Sequence, residues 1–253
     1  MNFRSDRLAG AWAGAVQQLA QATPKGWRAE RNGAGAVVTR AAAASLNVAY
    51  SIDQEPDLEA LDEMAREVSV LGVPWSIIVR AGAADAASGL AATYGLTARA
   101  GMPLMVCSAA HAVLAADAEP LSLVRPVGSD RSDAYTEALT AGFQAPPGTF
   151  GSLMGGGVLD LPGWTGYLAE IDGRPVATGL GVCGPDVVGV FNVAVDPSVR
   201  GRGLGRAVTA RVLADGFRTG AAEAYLHPSA AARPLYESMG FRVVETWTEF
   251  TAV

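Results

Sequence analysis

One segment specifies much of the architecture: Asn192-Val-Ala-Val-Asp-Pro-Ser-Val-Arg-Gly-Arg-Gly-Leu-Gly-Arg206. An apolar, strand-like start runs into a loop with glycines at 201, 203 and 205, and a helix is predicted over about 203–218. The start of a helix leaves its first N–H groups unpaired and carries partial positive charge, and glycines allow close approach to the main chain. The segment therefore predicts a phosphate-binding loop, beside which Arg200, Arg202 and Arg206 add positive charge.

A second segment, Leu235-Tyr-Glu-Ser-Met-Gly-Phe241, contains the end of a helix predicted over about Ala231–Met239. The first segment contains Arg200-Gly-Arg-Gly-Leu-Gly205, which resembles the R/Q-x-x-G-x-G/A signature of GNAT acetyltransferases. The second segment resembles their closing helix motif. The two motifs come in the family's order and spacing, and the resemblance covers roughly residues 121–250.

The resemblance implies a site for acetyl-CoA as co-substrate, without a metal. The strand's backbone would pair with the pantetheine arm, the loop's amides would hold the pyrophosphate, and Ser229 stands where an Asn is common. The implied binding residues are Val193, Ala194, Val195, Arg200, Gly201, Arg202, Gly203, Leu204, Gly205, Arg206 and Ser229.

Tyr236 matches the position at which many GNAT enzymes carry a general acid for the departing thiolate. A phenol can donate this proton or a hydrogen bond; the alternative is that Tyr236 only packs its helix against the sheet. The strand predicted over Val187–Val195 offers Asn192 but no carboxylate where some relatives place a general base. The base is therefore unidentified, and Glu170 or Asp196, acting through water, are two candidates.

Gly179-Leu-Gly-Val-Cys-Gly184 spells the dinucleotide-binding pattern G-x-G-x-x-G. That pattern requires a helix after the glycines, whereas Pro185 and Asp186 lead here into another predicted strand. A nucleotide-binding Gly-Lys-Ser/Thr and a hydrolase G-x-S-x-G are both missing from the sequence. His111 and His227 are more readily structural than catalytic.

The order of predicted elements indicates an α+β fold. A strand over Leu121–Val127 and a helix over Asp130–Gln144 precede a three-stranded meander, and a final strand is expected over Phe241–Phe250. The meander comprises Thr165–Ile171, Pro175–Val182 and Val187–Val195. With the resemblance, this order predicts a GNAT-type mixed, largely antiparallel twisted sheet flanked by helices.

The first half repeats a similar order of strands and helices from Leu46 to Ser108. We therefore expect two GNAT-like halves: a degenerate N-terminal domain over 1–118 and the acetyltransferase domain over 119–253. The segment Ser51–Asp57 carries three carboxylates and no glycine, which would repel a pyrophosphate, so no CoA binding is expected there. An unrelated cap is the alternative for this half. The second half lacks a strand after Phe250, which could come from the first half or from a second subunit, so a homodimer stays open.

Composition narrows the class of partner. A net charge of −6 argues against nucleic acid and suits a cationic acceptor. Cys107 and Cys183 are far apart and show no zinc-site spacing. The apolar segment Leu8–Val16 fits an amphipathic helix better than a leader, and no run is long enough to span a bilayer, so a cytoplasmic location without a membrane partner is expected.

These observations favour an acetyl-CoA-dependent N-acetyltransferase that acts by direct transfer on a primary amine of a small molecule or peptide. One alternative is a non-catalytic sensor or scaffold that binds CoA or an acyl-CoA. Another is an acyltransferase that uses a longer acyl-CoA, for which Gly179 and Gly181 would leave room.

Overall fold

The computed structural model describes residues 3–151 and 153–253. Its elements, in chain order, are α1 (Phe3–Ala22), β1 (Trp27–Arg31), β2 (Ala34–Val38), β3 (Asn47–Ser51), α2 (Leu58–Ser69), β4 (Ser76–Val79), α3 (Ala84–Thr93), β5 (Ala98–Ser108), α4 (Ala118–Leu123), β6 (Val124–Val127), α5 (Ser132–Phe143), β7 (Trp164–Ile171), β8 (Arg174–Cys183), β9 (Val187–Val195), α6 (Leu204–Arg218), β10 (Glu223–Leu226), α7 (Arg233–Ser238) and β11 (Arg242–Thr251).

The chain divides into two compact units. Unit 1 comprises the residues up to Leu104 together with Val243–Val253, and unit 2 comprises Met105–Arg242. The predicted boundary between residues 118 and 119 does not coincide with this division. Strand β5 contributes to both units, and β11, which was expected in the second domain, lies almost entirely in unit 1.

Unit 1 has the strand order β1-β2-β3-β4-β11-β5. Its sheet has helices on both faces because β3 alternates: Ala49 belongs to the core that includes Leu61 of α2, and Tyr50 points to the other face. There, the ring of Trp12 in α1 lies edge-on to Tyr50 at 5.3 Å and to Trp247 at 5.1 Å. The helical face expected for α1 is thus buried.

Unit 2 has the strand order β5-β10-β9-β8-β7-β6. The predicted meander is present as β7, β8 and β9, paired antiparallel, and β10 pairs parallel with β9. On its other side β10 pairs antiparallel with Met105–Ser108 of β5. The strand that the second half lacks is therefore supplied by residues that had been assigned to the first half.

The expected α+β class is present, with a mostly antiparallel sheet flanked by helices. One element was wrong: the strand expected over Leu121–Val127 is the short helix α4 followed by β6. Pro120 sits in the first turn of α4, where a missing N–H costs nothing, and Leu121 N donates to Asp117 O at 3.1 Å. Among the described residues, no helix is both long and apolar enough to cross a membrane.

Candidate active site

A bulge in β9 shapes the site. The ladder between β8 and β9 joins Thr178 to Ala194 and Leu180 to Phe191, so that Asn192 and Val193 both lie opposite Gly179. Asn192 has a φ of 52°, in the left-handed region. An extra residue of this kind bends its strand. The parallel ladder with β10 ends at Gly189, and the rest of β9 continues into the site.

The loop after β9 presents main-chain donors. Gly201 and Gly203 both have φ of 79°, which favours glycine. Gly203 caps α6 without a side-chain hydrogen bond, and the first bond inside the helix runs from Ala207 N to Gly203 O at 2.9 Å. The amides of the first turn are therefore available to an anion.

The bent end of β9, this loop and α7 surround a cleft of about 630 Å³. It is lined by every residue expected at the site except Arg202: Val193, Ala194, Val195, Arg200, Gly201, Gly203, Leu204, Gly205, Arg206, Ser229 and Tyr236. Arg202 instead lines a second cavity of about 350 Å³, together with Asp117 and Glu119.

Sequence reasoning did not identify Gly142 and Phe143, which end α5 and also line the cleft. Gly142 is required by packing, because a Cβ there would lie 2.6 Å from the Cβ of Ala194. The only signal in the sequence was the end of a predicted helix, and its approach to β9 is a tertiary contact.

Two of the arginines brace the cleft. Arg200 donates from Nε to Val195 O at 3.1 Å and from Nη2 to Gly142 O at 2.7 Å. Arg206 donates to the hydroxyl of Ser238 and so joins α6 to α7. Their guanidinium groups thus hold the walls of the cleft together, and their charge stays beside the loop.

Tyr236 reaches the cleft from α7 and is 6% exposed. Burial raises the pKa of its phenol to about 12, and the neighbouring Thr209 side chain opposes part of this rise. The ring also packs edge-on against Phe241, with centroids 5.8 Å apart. The phenol therefore stays protonated near neutral pH, as an acid or hydrogen-bond donor must.

Neither carboxylate considered as a base lines the cleft. Glu170 accepts from Arg131 at 2.7 Å, and Asp196 accepts from the amide and the hydroxyl of Ser198. The hydrogen bonds from Ser198 lower the pKa of Asp196, which makes it a weaker base.

The space expected over two glycines of β8 is filled. A Cβ on Gly179 would lie 2.3 Å from Cγ1 of Val208, and a Cβ on Gly181 would lie 3.1 Å from Cγ1 of Val212. These glycines let α6 pack closely on the sheet. They leave no room for a longer acyl chain, so the reason for that alternative was wrong.

A comparison with protein families matches residues 133–241 to the acetyltransferase (GNAT) family. Residues 133–241 are therefore a GNAT acetyltransferase domain. Enzymes of this family transfer an acyl group from acetyl-CoA, and the matched residues contain β7 to β10, the glycine loop and Tyr236.

Solved GNAT structures share the fold of nearly the whole chain. A GCN5-related N-acetyltransferase from Kribbella flavida is 17% identical, with a TM-score of 0.63 and coverage of 98% of this chain and 95% of that one. A GCN5-related N-acetyltransferase-like protein from Streptococcus suis is 13% identical, with a TM-score of 0.56 and coverage of 98% and 96%. A GCN5-related N-acetyltransferase from Sphaerobacter thermophilus is 17% identical, with a TM-score of 0.56 and coverage of 87% of this chain and 78% of that one. No curated protein matches the chain.

Helix α2 of unit 1 begins differently from α6. Helix α2 begins at Asp57, whose Oδ1 accepts from Glu59 N at 3.1 Å and from Ala60 N at 3.0 Å. The chain's own carboxylate thus occupies the place of an anion. In contrast with β9 and β10, the ladder of β3 and β4 extends to the last residue of each strand.

A buried arginine closes the end of these two strands in unit 1. Arg80 is 1% exposed and donates to Ile52 O at 3.0 Å, just beyond β3. It also donates to Asp6 at 2.7 Å, to the hydroxyl of Ser5 at 3.0 Å and to both carboxylate oxygens of Glu245, at 3.0 and 2.8 Å. The main-chain carbonyl after β3 is thus already paired.

Proposed function

We propose that unit 2 binds acetyl-CoA in the cleft and transfers its acetyl group directly to a primary amine of a small molecule or peptide. The observation that carries this proposal is the start of α6 at Gly203, which lacks a side-chain cap and opens into the same cleft as the bent end of β9. A helix start of this kind suits a pyrophosphate, and an extended strand edge suits an amide-containing arm.

The cleft residues divide into two groups by what they offer. The amides from Gly203 to Arg206 point their partial positive charge at an anion. The main chain of Val193–Val195 offers hydrogen-bonding groups beyond the ladder with β10, and Ser229 adds a hydroxyl on the opposite wall. The residues present therefore fit a molecule with a polar arm and a pyrophosphate.

Tyr236 acts on the leaving sulfur. Acetyl-CoA, when bound, supplies an acetyl group activated as a thioester. The amine nitrogen forms the new bond to the carbonyl carbon, the C–S bond breaks with its electron pair on sulfur, and the proton that the amine loses goes to solvent. The phenol of Tyr236, which is protonated, donates a hydrogen bond or its proton to that sulfur, and a phenolate formed in this way takes a proton back from solvent.

The acceptor is expected to be a cationic amine that loses its proton before it attacks. A net charge of −6 attracts such a molecule. The residues that line the cleft include no Asp, Glu or His within the described parts of the chain, so solvent is the simplest destination of the proton.

We also propose one site per chain. The capped start of α2, the complete ladder of β3 and β4, and the pairing of Arg80 all support an N-terminal half, residues 1–118, that does not bind CoA. The active domain is assigned to 119–253. A cytoplasmic location and an absence of nucleic acid and membrane partners belong to the same proposal, and a homodimer stays open.

Among the described residues, no Asp or Glu lines the cleft as a base. This supports a second candidate, a sensor or scaffold that binds CoA without turnover. The two are separated by measuring free thiol released from acetyl-CoA with a panel of primary amines. Release that depends on an amine and is lost in Gly203→Glu identifies the transferase. Binding of acetyl-CoA without release on any amine identifies the sensor, and no binding at all contradicts both.

A further inference from the structure

A buried threonine beneath the bulge fixes one peptide group of the cleft. Thr178 is 0% exposed, and its Oγ1 donates to the carbonyl oxygen of Asn192 at 2.7 Å. Asn192 is the left-handed residue of the bulge, and the ladder with β8 skips both Asn192 and Val193. A side chain therefore holds this peptide where the sheet does not.

The direction of that carbonyl also fixes an amide. In a planar trans peptide the C=O and the following N–H point in opposite directions. Since the carbonyl of Asn192 points to Thr178, the N–H of Val193 points away from it, and Val193 lines the cleft. This N–H is a donor at the bent end of β9.

The surroundings enclose this peptide. Tyr135 of α5 is 0% exposed, and its phenol lies beside the side chains of Thr178 and Asn192. One residue further along β9, Ala194 is packed against Gly142 of the same helix. The peptide is thus enclosed between β8 and α5.

We propose that Thr178 is a positioning residue, which aims the N–H of Val193 at the carbonyl oxygen of the bound thioester. This inference rests on the proposed acetyl-CoA site and deepens it. Negative charge grows on that oxygen as the amine attacks, and a donor fixed in advance stabilises it without reorganisation. The hydroxyl of Thr178 never touches the substrate and acts only through the Asn192–Val193 peptide.

The test uses the full-length chain with Thr178→Val, which removes the hydroxyl at nearly constant shape, and with Thr178→Ser, which keeps it. Acetyl-CoA labelled with ¹³C at the carbonyl is bound to each, its affinity is measured by calorimetry, and its carbonyl stretch is measured by isotope-edited infrared spectroscopy. Tyr135→Phe is the matched control, because it removes a buried hydroxyl nearby and leaves the Thr178–Asn192 bond in place.

We expect bound acetyl-CoA to show a carbonyl stretch at lower frequency than free acetyl-CoA in wild type, Thr178→Ser and Tyr135→Phe. Thr178→Val should bind acetyl-CoA but lose most of this shift. With an amine that wild type acetylates, its kcat should fall at least about tenfold, part of the roughly hundredfold or greater cost of deleting an oxyanion donor, while KM for acetyl-CoA changes little.

An unchanged shift in Thr178→Val overturns the inference, as does an equal loss in Tyr135→Phe, which would indicate general disruption. A wild type that does not bind acetyl-CoA in the calorimeter contradicts the proposed function itself. That failure is seen before any spectrum is recorded, so the two failures are distinguishable.

Discussion

The guanidinium of Arg200 donates from Nη2 to the carbonyl oxygen of Gly142 at 2.7 Å and thereby joins the loop before α6 to the end of α5. Its Nε donates at the same time to Val195 O, at the end of β9. One side chain therefore connects three elements that line the cleft, and two differently directed donors are needed to do so.

Arg200→Lys should weaken acetyl-CoA binding although the charge is kept. A lysine has one compact ammonium group and cannot reproduce the planar fork that reaches both carbonyls. Both hydrogen bonds lie within the protein, so their loss weakens binding only by letting the loop leave its binding conformation. A loop that is competent about a tenth of the time binds about tenfold more weakly, which calorimetry measures. Arg202→Lys, outside the cleft, is the control, and equal affinities of all three proteins would show that Arg200 contributes only its charge.

Tyr236→Phe should lower kcat at least about tenfold, the low end of what one acid-base group supplies, and leave acetyl-CoA affinity nearly unchanged. Because burial raises the pKa of Tyr236 to about 12, the phenol keeps its proton throughout the neutral range. The ratio of wild-type to variant kcat should therefore stay constant between about pH 7 and pH 9. Equal kcat values of wild type and Tyr236→Phe would show that Tyr236 only packs its helix against the sheet.

Gly179→Ala should destabilise the protein by about 1–3 kcal/mol, the usual cost of overpacking. The added Cβ would lie 2.3 Å from Cγ1 of Val208, a short and stiff side chain. Gly181→Ala, at 3.1 Å from Val212, should cost less. The control is Gly14→Ala inside α1, where a Cβ meets nothing within 4 Å and helix propensity predicts a gain. Urea unfolding checks the order, and a stable Gly179→Ala would contradict the packing described.

Stability should fall in alkaline solution through Tyr225, which is 1% exposed and whose pKa is raised by burial alone. Above the unfolded pKa of about 10, the unfolded chain releases this proton and the folded chain retains it, so stability decreases as pH rises. Above about pH 10, Tyr225→Phe makes the fall in the free energy of unfolding less steep by up to about 1.4 kcal/mol per pH unit. Below that pH the slope stays the same in both proteins. Unfolding at about pH 9 and pH 11 tests this, and identical slopes would refute it.

Local chemistry made the main features predictable. The glycine loop and helix start around Gly203 follow from residues adjacent in sequence. The short helix α4 was missed because Leu121–Val127 has no clear period and the helix is only six residues long.

Other features depend on contacts distant in sequence. The bulge at Asn192 is hydrogen-bonded by Thr178 of the neighbouring strand, and the approach of α5 requires a glycine at 142. The pairing of β5 with β10 also depends on contacts between residues distant in sequence. The long side chain of Arg202 has many rotamers, and nothing near it in sequence indicates that it lies in the second cavity.

We expect a single acetyl-CoA site at the start of α6, and calorimetric titration of acetyl-CoA into the whole chain measures the number of sites. Gly203→Glu places a carboxylate where the pyrophosphate is expected. Gly173→Glu is the matched control, because Gly173 has a similar φ of 76° in an open turn away from the cleft. One site per chain is expected in wild type and in Gly173→Glu, and none in Gly203→Glu. Two sites per chain, no binding by wild type, or undiminished binding by Gly203→Glu would contradict it.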